Sequence, residues 1–333
     1  MVEKVKDGWI VHTDTKSKKC KYYYPLTDED YKNMVDNFTA KPTIEKVKAE
    51  LLKIHKGGVR NTHTTKYFIR KIMNKVKLKS AAFSVEEVLN NKELMGIVMG
   101  IIKSNPKVFC EKTIAGNIRT CFNLTTNQLA GVPTNYPIKS VRKVLKNVEM
   151  GSNYYDFSCG WGGRLLGALS SNVNYFGTDP NPLLCDELNN IAKLYKEVNK
   201  ISTEVEIKNI GSEIFVKEWE NIMDIAFSSP PYFDLEDYKL GKQSINNRNY
   251  QQWLNEYWTP TVKNIQRYLK DSGIFAINIK NLPKLKLKDD MLSIIDSIGF
   301  KHIGEVPLEV RNRTRVSMFN ANSNENIYFF KKQ

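Results

Sequence analysis

The sequence predicts an α/β fold: a doubly wound, mostly parallel sheet with an antiparallel C-terminal strand pair, preceded by a basic, largely helical region. Three observations carry this expectation. From residue 151 onward, short apolar runs alternate with helical patterns, as in a parallel sheet covered on both faces. Two further apolar runs stand at the end, placed to close the sheet as an antiparallel pair. The positive charge, finally, is confined to the first part of the chain. Residues 1–150 hold 28 Lys/Arg against 14 Asp/Glu and residues 151–333 hold 22 against 22, which sum to the 50 and 36 of the whole.

In order along the chain, "GWIVHT" and "CKYYYP" are expected to pair as a short hairpin across "DTKSKK". "PTIEKVKAELLKIHKGG" follows as a helix with Ile44, Val47, Leu51 and Ile54 on one face and Gly57-Gly58 as its stop. "HTTKYFIRKIMNKVKLK" predicts a second helix, whose Lys66, Arg70, Lys71 and Lys75 would form a basic face beside Tyr67 and Phe68. Ser84 and Glu87 of "SVEE" make a capping box that opens a helical stretch towards "MGIVMGIIKSNP". These helices either contact nucleic acid, through phosphates or in a groove, or are the solvated faces of a small helical domain. The strands expected next are "NYYDFS", "VNYFGTD", "EVEIKNIG", "MDIAFSS" and "GIFAINIK", then "FKHIGEVPLEV" and "NENIYFFKK", seven in all. Helices "GRLLGALSS", "PLLCDELNNIAKLYKEVNK" and "YQQWLNEYWTPTVKNIQRYLKD" lie between them.

A chain of 333 residues suffices for one large domain or two ordinary ones. It lacks the run of about 18 apolar residues that a membrane span needs. Its opening residues have no apolar core of a secretory signal. Its five cysteines are scattered, with no C-x-x-C pair and no histidine at metal-ligand spacing. The expectation is a reduced, cytoplasmic protein with no metal and no membrane partner. The asymmetric charge points to a polyanion, nucleic acid in the first place. A lysine-rich coding bias alone would not leave the second half neutral.

Three loops carry the chemistry. "YYDFSCGWGGRLLGAL" ends a strand at Asp156, turns through Gly160, Gly162 and Gly163, and opens a helix. Glycines allow a tight turn and close approach of backbone to a ligand, and Asp156 offers a carboxylate to a cation or hydroxyl. Leu165 occupies the third glycine's place of the dinucleotide pattern G-x-G-x-x-G, which counts against a nicotinamide cofactor. In "YFGTDPN", Asp179 ends the next strand, 23 residues after Asp156, where a carboxylate accepts both hydroxyls of a ribose. An Asp capping the next helix is the plainer alternative. "KNIGSEIF" brings Ser212 to the end of a third strand, where it would flank an adenine.

The fourth strand runs into "SSPPYF". Two prolines cannot continue a central strand, so Ser229, Pro230, Pro231 and Tyr232 form a stiff bend at its carboxyl edge. Taken in this order, the motifs resemble those of the S-adenosylmethionine-dependent DNA amino-methyltransferases, whose fourth-strand loop reads [Asp/Asn/Ser]-Pro-Pro-[Tyr/Phe/Trp]. The resemblance spans roughly residues 134–333. It implies a seven-stranded Rossmann-like methyltransferase domain over 134–333, behind a basic recognition module over 1–133. It implies S-adenosylmethionine as cofactor, held by Asp156, Ser158, Gly160, Gly162, Asp179 and Ser212. "TNYPIKSVRKVL" is similar to the helical segment that packs over the methionine end of the cofactor.

The same resemblance implies that Ser229 and the Pro230 carbonyl accept hydrogen bonds from an exocyclic amino group, while Tyr232 stacks on a flipped base. Cytosine N4 is slightly preferred over adenine N6, in DNA, and a restriction–modification setting with a companion nuclease is not legible from one chain. An RNA-base or protein-glutamine methyltransferase is the nearest rival, although those resemble Asn-Pro-Pro-Tyr more than Ser-Pro-Pro-Tyr. A non-catalytic nucleic-acid binder of the same fold is the alternative of another class. Arg311, Arg313 and Arg315 of "RNRTR" would face one side of a strand, as a phosphate-contacting rim or as an exposed basic loop. The polar stretch Phe233 to Asn249 would close over the base.

Overall fold

A computed structural model describes residues 2–5, 8–11, 23–79, 81–124, 129–233, 236–238, 249–282, 285–308 and 325–333. The chain forms two compact units that interleave in sequence. One comprises Met1–Pro42, Arg70–Thr134 and Asp234–Lys239, and the other Thr43–Ile69, Asn135–Phe233 and Leu240–Gln333. Residues 43–69, inside the basic N-terminal stretch, thus belong with the sheet.

The first unit is mainly helical. Helices Asp28–Thr39 and Val85–Leu89 each open on a capping box, Thr27 with Asp30 and Ser84 with Glu87. Each box satisfies two amide donors that the first turn would otherwise leave open. With helices Lys92–Ser104 and Ile114–Leu124 they enclose a core of Met34, Phe38, Val88, Met95, Val98 and Phe122. The N-terminal hairpin differs from expectation. Gly8–Val11 pairs backwards with Val2–Val5, and Tyr23 to Pro25 are not a strand. Two intervening residues close a hairpin at a smaller entropic cost than the longer "DTKSKK" connection.

The second unit is built on a seven-stranded sheet. Its strands are β1 (Asn153–Asp156), β2 (Asn174–Thr178), β3 (Val205–Lys208), β4 (Met223–Ser228), β5 (Leu269–Ile279), β6 (Phe300–Pro307) and β7 (Asn326–Lys332). Their order across the sheet is β3-β2-β1-β4-β5-β7-β6. All neighbours from β3 to β5 are parallel, whereas β7 is antiparallel to both β5 and β6. This is the 3-2-1-4-5 order of a Rossmann-like sheet with an antiparallel last strand inserted. Each of the seven strands anticipated for this sheet is present.

Central strands are buried on both faces because helices cover both, so Tyr154, Tyr155, Ile225, Ala226, Phe227, Phe275 and Ile277 are all enclosed. One face carries an aromatic core: Tyr155, Phe157, Trp219, Trp258, Tyr268 and Phe275. Tyr155 and Tyr268 meet edge to face at 5.1 Å. Truncating such a ring, as in Phe275→Ala, costs about 3–5 kcal/mol. Helix α1 (Gly163–Leu169) follows β1. Helix α2 (Pro182–Asn199) follows β2, with Asn181 as its N-cap, Pro182 in the first turn and a left-handed Lys200 at its end. A helical segment spans residues 250–268, and helix Leu287–Ser297 follows β5.

Two expected helices are interrupted by a wide turn, at Thr65–Ile69 and at Leu254–Trp258. The second lies just before Pro260, which lacks an amide and whose ring would clash with the carbonyl four residues back; widening the turn relieves both. Among the described residues, no helix is long and apolar enough to cross a membrane.

Candidate active site

The strand order reverses between β1 and β4, and in open α/β sheets the carboxyl ends of the strands at such a point form the ligand crevice. The glycine loop and the Ser-Pro-Pro-Tyr bend meet there. Ser228, the last residue of β4, donates from Oγ to the carbonyl of Ser158 at 3.3 Å. On the other side, the Cys159 amide donates to the carbonyl of Thr178 at 3.2 Å, tying the same loop to the end of β2.

The glycine loop is held from beneath by charge. Asp156 is fully buried, and its carboxylate takes the Arg164 guanidinium (Nε to Oδ2, 2.9 Å), the Tyr175 hydroxyl (2.8 Å) and the Ser158 amide (3.3 Å). Arg164 reaches on to the Ser158 carbonyl. Burial pulls the Arg164 pKa down, but the Asp156 charge and hydrogen bond together with the neighbouring Tyr154 and Tyr175 outweigh it, so the net shift is upward and the guanidinium stays charged. Asp156 is therefore spent on the loop's own geometry and turns no surface to a ligand.

Two glycines give the loop its path. Gly160 has φ +57° and Gly162 φ +83°, left-handed conformations that other residues adopt at a cost. Gly163 has a different constraint: a Cβ there would fall 2.1 Å from the carbonyl oxygen of Tyr136. Helix Ile138–Val144 lies against α1 in the same way, with Val141 2.5 Å from where a Gly167 Cβ would sit. Asn135 donates from Nδ2 to the Trp161 carbonyl (2.8 Å) and to Thr65 Oγ1 (3.1 Å). The wide turn at Thr65–Ile69 thus supplies a side chain beneath the glycine loop. Its entry is fixed by Glu50, whose buried carboxylate accepts the amides of His63 (3.0 Å) and Thr64 (2.7 Å).

Asp179 stands one residue past β2, nearly buried, and accepts the Asn181 amide at 3.0 Å. Burial pushes its pKa up to about 6, against the opposing pull of the Asn181 and Gly160 amides. At neutral pH it is an ionised acceptor at the rim of the crevice.

Beyond β3, Ser212 is turned away: its hydroxyl pairs with Thr261 at 2.9 Å, and its carbonyl accepts from Asn264. Glu213, unnoticed in the sequence, folds back over Gly211 and keeps one carboxylate oxygen, Oε2, buried without a partner. A lone acidic residue in a loop gives no signal in the sequence that it bends inward.

In the bend itself, Pro230 is buried, while Ser229, Pro231 and Tyr232 are half-buried. The Tyr232 hydroxyl donates to Glu325 Oε1 at 2.8 Å, and Lys280 pairs with Glu325 Oε2 at 3.2 Å. Neither Glu325 nor Lys280 was legible as a site residue, since each lies in a different, distant segment. Tyr136, whose ring sits 5.8 Å from Phe227, has a buried hydroxyl without a partner.

The remaining expected contacts are placed less together. Lys66 and Arg70 are half-buried, and Lys71 and Lys75 lie on the short helix Arg70–Lys75, Lys71 exposed and Lys75 half-buried. Arg311, Arg313 and Arg315, and most of the stretch from Phe233 to Asn249, lie outside the described residues.

No family model and no curated protein matches the sequence. Solved structures with a similar backbone exist at low identity. A TehB-like SAM-dependent methyltransferase from Corynebacterium glutamicum is 16% identical over 60% of this chain and 89% of its own, with a TM-score of 0.40. The 1,6-didemethyltoxoflavin-N1-methyltransferase of Burkholderia thailandensis is 10% identical over 59% and 78%, with a TM-score of 0.40. Magnesium protoporphyrin IX methyltransferase from Synechocystis PCC 6803 is 12% identical over 59% and 78%, also with a TM-score of 0.40. The functional reading is carried by the site's own geometry.

Proposed function

We propose that this chain transfers a methyl group from S-adenosylmethionine to the exocyclic amino nitrogen of a base in DNA. The observation that supports this most is the juxtaposition of Ser229-Pro230-Pro231-Tyr232 with the glycine loop, through the Ser228–Ser158 hydrogen bond, at the strand-order reversal. A nucleotide-sized ligand over the loop would have its reacting end at that bend.

The residues present fit such a cofactor. Asp179 accepts the ribose hydroxyls, and the loop around Gly160 and Gly162 lets backbone approach the ligand. The orphaned Glu213 Oε2 supplies an acceptor for an adenine amino group, a role that Ser212 does not fill. Asp156, through Arg164, sets the shape of the loop. When bound, the cofactor supplies an electrophilic methyl group on a sulfonium.

On the substrate side, the amino nitrogen of adenine or cytosine is a poor nucleophile because its lone pair is delocalised into the ring. Ser229 Oγ and the Pro230 carbonyl accept its two N–H groups, which favours a pyramidal nitrogen with its lone pair directed at the methyl carbon. Proline holds that carbonyl in one direction. The half-buried ring of Tyr232 gives the flipped base a surface to stack on. Alignment and fixed dipoles supply the acceleration, and no strong base is needed before transfer. The net charge of +14, all of it in residues 1–150, suits a DNA backbone. Serine at the first motif position favours cytosine N4 slightly over adenine N6.

The test is tritiated S-adenosylmethionine offered with unmethylated DNA, RNA and a protein extract in parallel, wild type beside Ser229→Ala. Label in DNA that is lost in the variant supports the reading; label in RNA or protein instead overturns the substrate, and absence of cofactor binding overturns the whole.

A further inference from the structure

The backbone of Tyr232 is held on both sides. Pro231 stiffens the approach to it, and the Phe233 ring after it packs on Tyr250 (centroids 5.3 Å apart) and Trp253 (5.9 Å). What freedom remains is that of the tyrosine side chain. Its hydroxyl donates to Glu325 Oε1 at 2.8 Å, which fixes the far end of the ring.

Glu325 is itself presented from the sheet. Asn326 stands opposite Ile279 in the antiparallel pair of β7 and β5, so the next residues along, Glu325 and Lys280, face each other across that pair. Their ion pair, Lys280 Nζ to Glu325 Oε2 at 3.2 Å, is this cross-strand contact. The Glu325 carbonyl accepts the Leu308 amide at 2.9 Å, and the Asn326 carbonyl accepts from Asn278 at 3.0 Å. The carboxylate, 14% exposed, therefore stands at the end of a rigid strand pair, with one oxygen given to Lys280 and the other to Tyr232.

From this geometry we infer that Glu325 is a positioning residue for the reaction: it fixes the axis of the Tyr232 ring before substrate arrives, and Lys280 holds Glu325 in place. The inference rests on the proposed methyl transfer to a base, and it adds two residues outside the Ser-Pro-Pro-Tyr bend. With the backbone and the hydroxyl both held, the ring cannot swing to another χ1 rotamer. A stacking surface that is already ordered saves the entropy of ordering it when the base binds, and it keeps the base aligned for transfer. A carboxylate acceptor makes this tether stronger than a neutral one would.

The test is a double-mutant cycle on methyl transfer to unmethylated DNA. Tyr232→Phe keeps the ring and removes the hydroxyl, whereas Glu325→Ala removes its acceptor. Each should lower kcat/KM for DNA about tenfold, the upper end of what ordering one side chain on binding costs, with S-adenosylhomocysteine affinity as in wild type. The double variant should be no worse than either single variant, because both remove the same contact. Glu325→Gln bonds the phenol whichever way its amide turns, and it should recover most of the activity that alanine loses. Losses that multiply in the double variant, losses of less than about twofold, or a glutamine variant as poor as alanine overturn the assignment. Should Glu325→Ala melt early, Tyr232→Phe, which leaves the ion pair in place, is compared with Glu325→Gln by the same criteria. Independently of activity, 13C relaxation of the tyrosine rings in the free protein should show Tyr232 ordered in wild type and mobile in Glu325→Ala; a ring equally ordered in both overturns the assignment. Failure of wild type to label DNA would instead refute the proposed function, and the ring measurement would still decide whether Glu325 holds Tyr232.

Discussion

Asp179 ties cofactor binding to pH in a way the structure makes quantitative. Its carboxyl is nearly buried, and burial pushes the pKa from its ordinary 3.8 up to about 6. If the ionised form accepts the ribose hydroxyls, affinity tracks the ionised fraction. That fraction is about nine-tenths at pH 7 and about one-tenth at pH 5, so affinity should fall close to tenfold, or about 1.4 kcal/mol. The sign follows from the direction of the shift: binding is present above pH 6 and lost below it. Stability of the free protein runs the other way. A folded pKa above the unfolded value means that the folded state holds the proton more tightly, so stability falls by about 3 kcal/mol as pH rises from below 4 to above 6. Calorimetric titration with S-adenosylhomocysteine between pH 5 and pH 8 reads the first effect, with Asp179→Asn as the variant that cannot ionise. A flat affinity profile in wild type, or an Asp179→Asn variant that binds as tightly at pH 7, would refute the reasoning.

Removing one partner of the buried Asp156–Arg164 pair should be severe. Asp156→Asn leaves a buried guanidinium without its counter-charge and is expected to lower stability by about 3–5 kcal/mol in denaturant unfolding. A double variant with Arg164→Met should recover part of that loss, and a single-variant loss below about 1 kcal/mol would show that the pair does not hold the loop. Gly163→Ala places a methyl group 2.1 Å from a backbone oxygen, so the start of α1 must shift. The expected cost is about 1–3 kcal/mol in unfolding experiments, together with weakened cofactor binding; wild-type behaviour in both would mean that the contact yields freely.

The sheet was legible because its signal is local. Runs such as "MDIAFS" and "NIYFF" announce strands through period and β-branched or aromatic content, and their alternation with helices dictates a parallel sheet. The turn at glycines 160 and 162 and the position of Asp179 just past its strand were legible for the same reason, each following a strand end. Asp156 was placed correctly at a strand end, yet its partner Arg164 lies eight residues on, across a turn, where no periodicity connects them. Glu325 lies 93 residues from Tyr232 and reaches it only through the return of β7 beside β5. That Thr261, 49 residues on, engages the Ser212 hydroxyl is a tertiary fact. The wide turn before Pro260 left a trace, since a proline inside a helical period must disturb it.

The most direct test of amino-directed methylation is nucleoside mass spectrometry of DNA from a methylation-deficient host expressing the chain, beside a host expressing Ser229→Ala. The account predicts N4-methylcytosine or N6-methyladenine with wild type and neither with the variant. A methyl group on a base carbon, or amino-methylated bases equally abundant in both hosts, would contradict it.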